Sequence, residues 1–310
     1  MSVDEDTILL LGGSSFLGLQ TAQTLFYYFD IVCTYNQSIV PKFFPEFNWF
    51  QLNFSSKNES IKTNLKRLIE KTNTTFLVNF AGITTPLKAK NEQNLSQKIN
   101  VLANQLIAQV CAETDTIPIF ISTDHVFSGE EGPYSEEFDP NPLKNSVYGQ
   151  QKKLAEKIYQ QIENYAIIRV STTLGLNLEF QKQNIYQKAV SNLSTGKKIA
   201  GAGNKIRTAS HCYNVPFLIN KIVEAFNEKR IENGIFHVPG ELLTEYELLL
   251  KIADTFDFER SLIEKTQIDN NNDSYPLRLG LDSSKTIQKL HGKFLTLDES
   301  LKLLKFDFLN

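Results

Sequence analysis

Thr7-Ile8-Leu9-Leu10-Leu11-Gly12-Gly13-Ser14-Ser15-Phe16-Leu17-Gly18 is the stretch from which the fold can be read. An apolar run ends in two glycines and passes into a helix-like segment that reaches Phe29. The order is therefore strand, tight turn, helix. A strand that feeds a helix N-terminus through glycines turns unpaired backbone N–H groups, and the positive end of a helix dipole, toward a pyrophosphate. Gly12 and Gly18 stand six apart, with Ser15 where a middle glycine is commoner, which makes a GxxSxxG variant of a dinucleotide turn. Gly12, Ser14, Ser15, Phe16, Leu17 and Gly18 are the expected cofactor-binding residues of this turn.

Downstream the same alternation continues. Ile31-Val32-Cys33-Thr34-Tyr35, Phe76-Leu77-Val78-Asn79, Ile117-Pro118-Ile119-Phe120-Ile121 and Ala166-Ile167-Ile168-Arg169 read as further strands. Their short apolar runs do not alternate with polar residues, as expected of parallel strands covered on both faces. Segments 61–72, 95–113 and 147–162 carry apolar residues at helical spacing between them. The expected fold is α/β, a doubly wound parallel sheet of Rossmann type. After Arg169 glycines at 175, 196, 201 and 203 loosen the rhythm, then helices are expected at 215–227 and 244–256 around a strand at 234–238. A smaller C-terminal substrate lobe is thus interleaved with the first domain. The expected division is 1–171 plus 207–240 for the dinucleotide-binding domain and 172–206 plus 241–310 for the substrate-binding lobe.

Composition bounds the partners. The 310 residues are 41% hydrophobic and carry a net charge of -3, enough for a large core and without the basic excess of a nucleic-acid or anionic-membrane binder. Three cysteines without a CxxC pair, and four scattered histidines, suggest neither a disulfide framework nor a metal site. Met1-Ser2-Val3-Asp4-Glu5-Asp6 is acidic where a signal peptide would be basic, and no stretch approaches the ~20 apolar residues of a membrane span. A cytoplasmic protein with a small-molecule partner is expected, and a homodimer is left open.

Three further sites carry chemistry. Tyr148 and Lys152, four apart in a helix-like stretch, share one face, and a nearby ammonium makes a phenol a better proton donor or acceptor near neutrality. About one such pair is expected by chance at these Tyr and Lys frequencies, so a solvated helix face explains the spacing equally well. Ser122-Thr123-Asp124-His125 ends a central strand, where open α/β sheets hold ligands; taken singly it reads as a helix cap or a turn. Asn79-Phe80-Ala81-Gly82 ends another. The order of glycine turn, Asn-Phe-Ala-Gly, Ser-Thr and YxxxK is what joins these weak signals into one.

Residues 120–129, the VYGxxK of 147–152, Arg207-Thr208-Ala209-Ser210-His211-Cys212-Tyr213-Asn214-Val215, Gly234-Ile235-Phe236-His237-Val238-Pro239-Gly240 and Leu277-Arg278-Leu279-Gly280-Leu281-Asp282-Ser283-Ser284-Lys285 resemble the dTDP-4-dehydrorhamnose reductase branch of the extended short-chain dehydrogenases/reductases. That branch also includes the regulatory beta subunit of methionine adenosyltransferase. The resemblance covers nearly the whole chain. It implies Tyr148 as the general acid at a carbonyl oxygen, Thr123 as a hydrogen-bond donor to the same oxygen, and Lys152 as the holder of the cofactor ribose. For the cofactor it further implies Tyr35, Asn36, Asn53, Phe80, Ala81, Gly82, Asn100 and Ser122, with Asn79 beside them. For the substrate it implies Asp124, His125, Thr172, Asn184, Arg207 and Ser210.

Four positions depart from the family pattern. His125 stands where Tyr is usual, Thr172 where a Trp packs on the sugar, and Asn53 and Asn214 where Asp is usual. The expected activity is reduction of a nucleotide-linked 4-keto-6-deoxy sugar with NADP or NAD. NADPH is favoured because Thr34-Tyr35-Asn36 lacks the acid that would bond the ribose of NAD. The alternatives are a nucleotide-binding regulatory subunit without turnover, and an epimerase or dehydratase on the same scaffold.

Overall fold

The computed structural model describes residues 6–38, 40–177, 183–269 and 275–309. The first five residues, part of the acidic N-terminal stretch, lie outside them. The strands are β1 (Thr7–Leu11), β2 (Asp30–Tyr35), β3 (Asn48–Gln51), β4 (Thr74–Asn79), β5 (Ile117–Thr123), β6 (Tyr165–Val170), β7 (Thr172–Leu174), β8 (Ile199–Ala202), β9 (Ile206–His211), β10 (Asn233–His237), β11 (Glu241–Thr244) and β12 (Ile263–Thr266). Seven of them form one parallel sheet in the order β10-β6-β5-β4-β1-β2-β3, with the order reversing direction at β1. The doubly wound sheet expected from the sequence is the one observed.

Successive side chains of a strand point to opposite faces, and β1 is buried on both. Ile8 and Leu10 pack with Leu19, Ala22 and Leu25 of the helix Phe16–Leu25 and with Leu218 and Ile222 of the helix Asn214–Asn227. Leu9 and Leu11 pack on the other side with Leu65 and Ile69 of Asn58–Thr72 and Ile107 of Ala103–Glu113. Two helical layers therefore account for a run with no polar alternation. Segment 95–113 is helical as read, but a π-helical turn at Lys98–Leu102 interrupts it and turns Asn100 into the protein.

The smaller lobe holds a three-stranded sheet, β11-β9-β7, and the parallel pair β12-β8. Its own core gathers Leu249 and Ile252 of the helix Glu245–Phe256 with Tyr186, Val190, Leu301 and Leu304. β9, which the expected return at residue 207 assigns to the first lobe, hydrogen-bonds to β7 and β11 of the small sheet; the chain re-enters the first lobe with the helix that begins at Asn214. Ile199–Ala202 and Ile206–His211, separated by a short turn, escape the sequence reading because glycines and polar residues break their pattern.

All three cysteines are buried and free. Among the described residues no helix is long and apolar enough to cross a membrane, and no group of three or more His, Cys, Asp or Glu could hold a metal ion.

Candidate active site

The turn after β1 is built as a cradle. Ser15 caps the helix Phe16–Leu25: its N–H donates to the Gly12 carbonyl at 2.9 Å and its hydroxyl accepts from Gly18 N–H at 3.2 Å. Gly12 has φ +73°, left-handed backbone that favours glycine, and a Cβ there would lie 3.0 Å from the Ala81 amide nitrogen. A Cβ on Gly18 would run into the Gly12 carbonyl oxygen. Thr34 pins the turn from β2, accepting from Gly12 N–H at 3.0 Å and donating to the Leu10 carbonyl at 3.4 Å. No acidic residue occupies the first helical turn. The residues present thus fit a dinucleotide pyrophosphate: space free of side chains, a helix N-terminus, and no opposing charge.

At the neighbouring strand ends, Asn79 accepts from Ala81 N–H at 2.9 Å and donates to Asn104 at 2.8 Å. Asn100 accepts from Ile83 N–H at 2.8 Å and donates to the Ile83 carbonyl and to Gln151. Both asparagines shape the backbone of residues 79–83, so that Phe80, Ala81 and Gly82 form one wall of the cleft. Tyr35 and Asn36 lie at the end of β2, beside the turn. Asn53 is farther out, accepting from the N–H and hydroxyl of Ser55 in a local turn, and does not line the cleft.

Thr123 ends β5, accepts from His125 N–H at 3.3 Å and donates to Asp124 Oδ1 at 3.2 Å. The helix Val147–Tyr159, capped by Ser146, approaches this turn so closely that a Cβ on Gly149 would strike the His125 carbonyl. That approach sets Tyr148 against Thr123 and His125. Lys152, one turn on, donates to the Ile121 carbonyl at 2.6 Å and lies 4.0 Å from the centre of the Phe120 ring. Burial pushes the Lys152 ammonium down to about 7, opposed by the Glu156 carboxylate. Burial also raises the Tyr148 phenol, partly offset by the Thr123 hydroxyl, which favours the phenolate. Burial holds His125 below the usual imidazole range, with Asp124 opposing.

Together these groups line a cleft of about 460 Å³ at the C-terminal ends of the parallel strands, the place where open α/β sheets hold ligands. Ser15, Phe16 and Leu17 border one end; Thr172 and Arg207 border the other.

The substrate-side expectations divide. Asp124, His125, Thr172 and Arg207 line the cleft, but Asn184 and Ser210 do not. Asn184 is the N-cap of the helix Ile185–Leu193, in a reciprocal capping box with Gln187. Ser210 donates to the Pro239 carbonyl at 2.7 Å and accepts from Asn214 at 3.1 Å. Asn214 also donates to the Pro239 and Leu295 carbonyls, bonds an Asp could not give, which accounts for the departure at this position. Arg207 is buried: Nη1 donates to the Ile206 and Leu277 carbonyls, Nη2 donates to that of Pro276, and Nε faces Asp124 at 3.7 Å. Most of its fork is engaged within the protein. Lys205 and Tyr275 were missed by the sequence reading and both line the cleft, the ammonium 5.6 Å from the ring centre. Residues 205 and 207, two apart, share a side of the chain, a signal that could have added Lys205.

A family model described as the RmlD substrate binding domain matches residues 7–301. Methionine adenosyltransferase 2 subunit beta of Xenopus laevis is 27% identical over 207 residues, 64% of this chain and 59% of that protein, so the match spans less than two thirds of the relative. The solved structure of a hypothetical dTDP-4-dehydrorhamnose reductase from Sulfolobus tokodaii is 26% identical and superposes with a TM-score of 0.79, covering 95% of this chain and 98% of that one. A dTDP-4-dehydrorhamnose reductase from Bacillus anthracis, solved in complex with NADP, has the same fold at 18% identity, with a TM-score of 0.79 over 98% of this chain and 99% of the other.

Proposed function

The chain belongs to the RmlD substrate binding domain family, and from that premise we propose that it is an NAD(P)H-dependent reductase of a nucleotide-linked 4-keto-6-deoxy sugar. The observation that carries this reading is the convergence of Thr123, Tyr148 and Lys152 on the cleft that the glycine turn borders. Bound nicotinamide supplies the hydride; the rest falls to this chain. Thr123 and Tyr148 hydrogen-bond the substrate carbonyl, and the Tyr148 hydroxyl gives its proton to the oxygen as it gains negative charge. Burial keeps the phenol protonated, so that it has a proton to give. Lys152 holds the cofactor ribose and offers positive charge beside the phenol. Gly12, Ser15 and Gly18 take the pyrophosphate, and Phe80, Ala81 and Gly82 flank the cofactor. The apolar burial around Tyr148 keeps water from the reacting centre.

His125 and Thr172 border the sugar. Lys205, half-buried and paired with Glu245 at 3.0 Å, has donors left for an anionic group and is the diphosphate contact. Arg207, Asn184 and Ser210 act at one remove by holding the walls. NADPH is the favoured cofactor, since no acid follows β2.

Purified protein mixed with NADPH and a panel of nucleotide 4-keto sugars, with loss of reduced-nicotinamide absorbance as the readout, tests the reading. No consumption with any member, alongside tight NADPH binding, favours a second reading. In that reading the chain is a nucleotide-binding subunit that acts through a partner enzyme, as the match to a methionine adenosyltransferase subunit suggests.

A further inference from the structure

Tyr148, Lys152 and Glu156 follow one another at four-residue spacing along the helix Val147–Tyr159 and so form a single stripe facing β5. The third member of the stripe has no part in the chemistry described above, yet it is among the most enclosed charges in the protein, 1% exposed. Its Oε1 accepts from Ser122 Oγ at 2.5 Å and from Arg169 Nε at 3.1 Å, and its Oε2 accepts from Arg169 Nη2 at 2.9 Å. Ser122 and Arg169 are register partners across β5 and β6, and Arg169 is in turn the register partner of His237 on β10. His237 Nδ1 faces the Asp282 carbonyl at 2.8 Å, which makes Nδ1 the donor and leaves Nε2 as an acceptor 3.4 Å from Arg169 Nη1. The guanidinium is thereby held on both sides, with the Phe127 ring 4.9 Å from its carbon.

We propose that Glu156 is a positioning residue for the active site: its carboxylate ties the strand that carries Ser122 and Thr123 to the helix that carries Tyr148 and Lys152. The role of the site rests on the reductase reading; the construction does not.

Two consequences follow from the geometry. Ser122 directly precedes Thr123, so the short bond to Glu156 sets where β5 ends relative to the helix. Lys152, almost fully buried beside the Phe120 ring and bonded to the Ile121 carbonyl where it lines the cleft, has Glu156 as the carboxylate that favours its charged form. The other groups around it do not substitute: Tyr148 is held neutral, Arg169 lies beyond Glu156 with like charge, and His237 beyond that is held neutral by burial at about 3. A buried ion pair kept for stability alone can be exchanged for two apolar side chains with little loss. A positioning pair cannot.

The test compares Glu156→Gln, Glu156→Asp and the double change Glu156→Leu with Arg169→Met, using NADPH affinity from pH 6 to 9, thermal melting, and the NMR shift of Lys152 Cε as readouts. The expected result is that the Gln and double variants bind NADPH about tenfold more weakly at pH 7, with the Lys152 titration moved to lower pH, while Asp stays close to wild type. A double variant that melts as the wild type does and keeps its NADPH affinity and pH profile overturns the proposal, as does an unmoved Lys152 titration in Glu156→Gln. Should these variants not fold, Ser122→Ala, which leaves the ion pair whole, is expected to bind NADPH several-fold more weakly; unchanged affinity overturns the proposal. Wild-type protein that binds no NADPH overturns the reading of the whole site instead, and the role of Glu156 with it.

Discussion

The imidazole of His125 meets the ring of Tyr148 edge-on, the centroids 5.6 Å apart and the planes at 67°. This contact fixes the Tyr148 ring by packing alone, independently of its hydroxyl, so Tyr148→Phe should fold normally and keep its place against His125. NADPH binding is expected to persist while turnover falls by about 10²- to 10⁴-fold, the range a positioned proton donor contributes. Steady-state kinetics together with a fluorescence titration of NADPH separate the two effects. A variant that turns over near the wild-type rate removes Tyr148 from the mechanism.

Arg207, one of the residues expected at the substrate, has most of its guanidinium engaged within the protein. Three carbonyls from residues 206, 276 and 277, and the Asp124 carboxylate, surround a guanidinium that is nearly inaccessible. Arg207→Ala leaves Asp124 buried without its cation and frees the segment that follows residue 275. A loss of about 3 kcal/mol in stability is expected, from the penalty of breaking a buried pair. Calorimetric titration of dTDP or UDP into the folded fraction should change less than threefold, whereas Lys205→Met, at a half-buried position, should weaken it about tenfold, or about 1.4 kcal/mol. The opposite pattern would assign the diphosphate to Arg207.

What the sequence made legible follows from where each residue gets its partners. β1 could be read because burial on both faces makes every residue of Thr7–Leu11 apolar or small, and the turn could be read because only glycine tolerates the close approach of Ala81 to Gly12. β3 could not, because Asn48–Gln51 is a four-residue edge strand with just Trp49 and Phe50 half-buried. Helical spacing puts Tyr148 and Lys152 on one face, but the order of the glycine turn, Asn-Phe-Ala-Gly and Ser-Thr ahead of them is what singles them out. Arg207 needed partners some seventy residues downstream, which no local pattern reveals. Asn184 carried a readable sign that was passed over: Asn followed three residues later by Gln before an apolar run is a capping box, and capping is what the side chain does. Glu156 was hidden because a Glu on a helix usually faces water, and its enclosure depends on a strand pairing between Ser122 and Arg169.

Acid should destabilise the protein earlier than its carboxylates alone would cause. Burial is the first cause of the lowered values of His211, pushed down to about 4, and of His237, pushed down to about 3, and it lowers His125 as well. An unfolded histidine takes up its proton near pH 6.5, whereas these folded ones do so only at lower pH. Between about pH 6.5 and 4 the unfolded chain therefore binds more protons than the folded one, and stability must fall as pH falls through that window. Urea midpoints at pH 7.5, 6 and 5 should decrease in that order, and His211→Gln, which has no proton to gain, should flatten the trend. Midpoints that stay constant from pH 7.5 to 5 would contradict the burial assigned to these rings.

Cofactor choice turns on the end of β2. Thr34 is fully engaged by the glycine turn, accepting from Gly12 and donating to Leu10, so it has little left for a ribose. The Tyr35 ring meets Trp49 edge-on at 6.3 Å and is held toward the sheet edge. Asn36 is exposed; its carbonyl accepts from Gln51 Nε2 at 3.0 Å, which anchors the backbone without using the carboxamide. A carboxylate at such a strand end would bond the ribose hydroxyls of NAD and repel a 2′-phosphate, while a carboxamide can donate to that phosphate. Without a nearby arginine the preference should be modest, with kcat/KM for NADPH over NADH by about three- to tenfold, or roughly 0.7 to 1.4 kcal/mol. Asn36→Asp should reverse it by placing charge where the phosphate would lie. The measurement is steady-state kinetics with both cofactors on the two proteins, or direct titration should the wild type bind without turnover. A large NADH preference in the wild type, or an Asn36→Asp protein with unchanged selectivity, would put the discriminating contact elsewhere in the cleft.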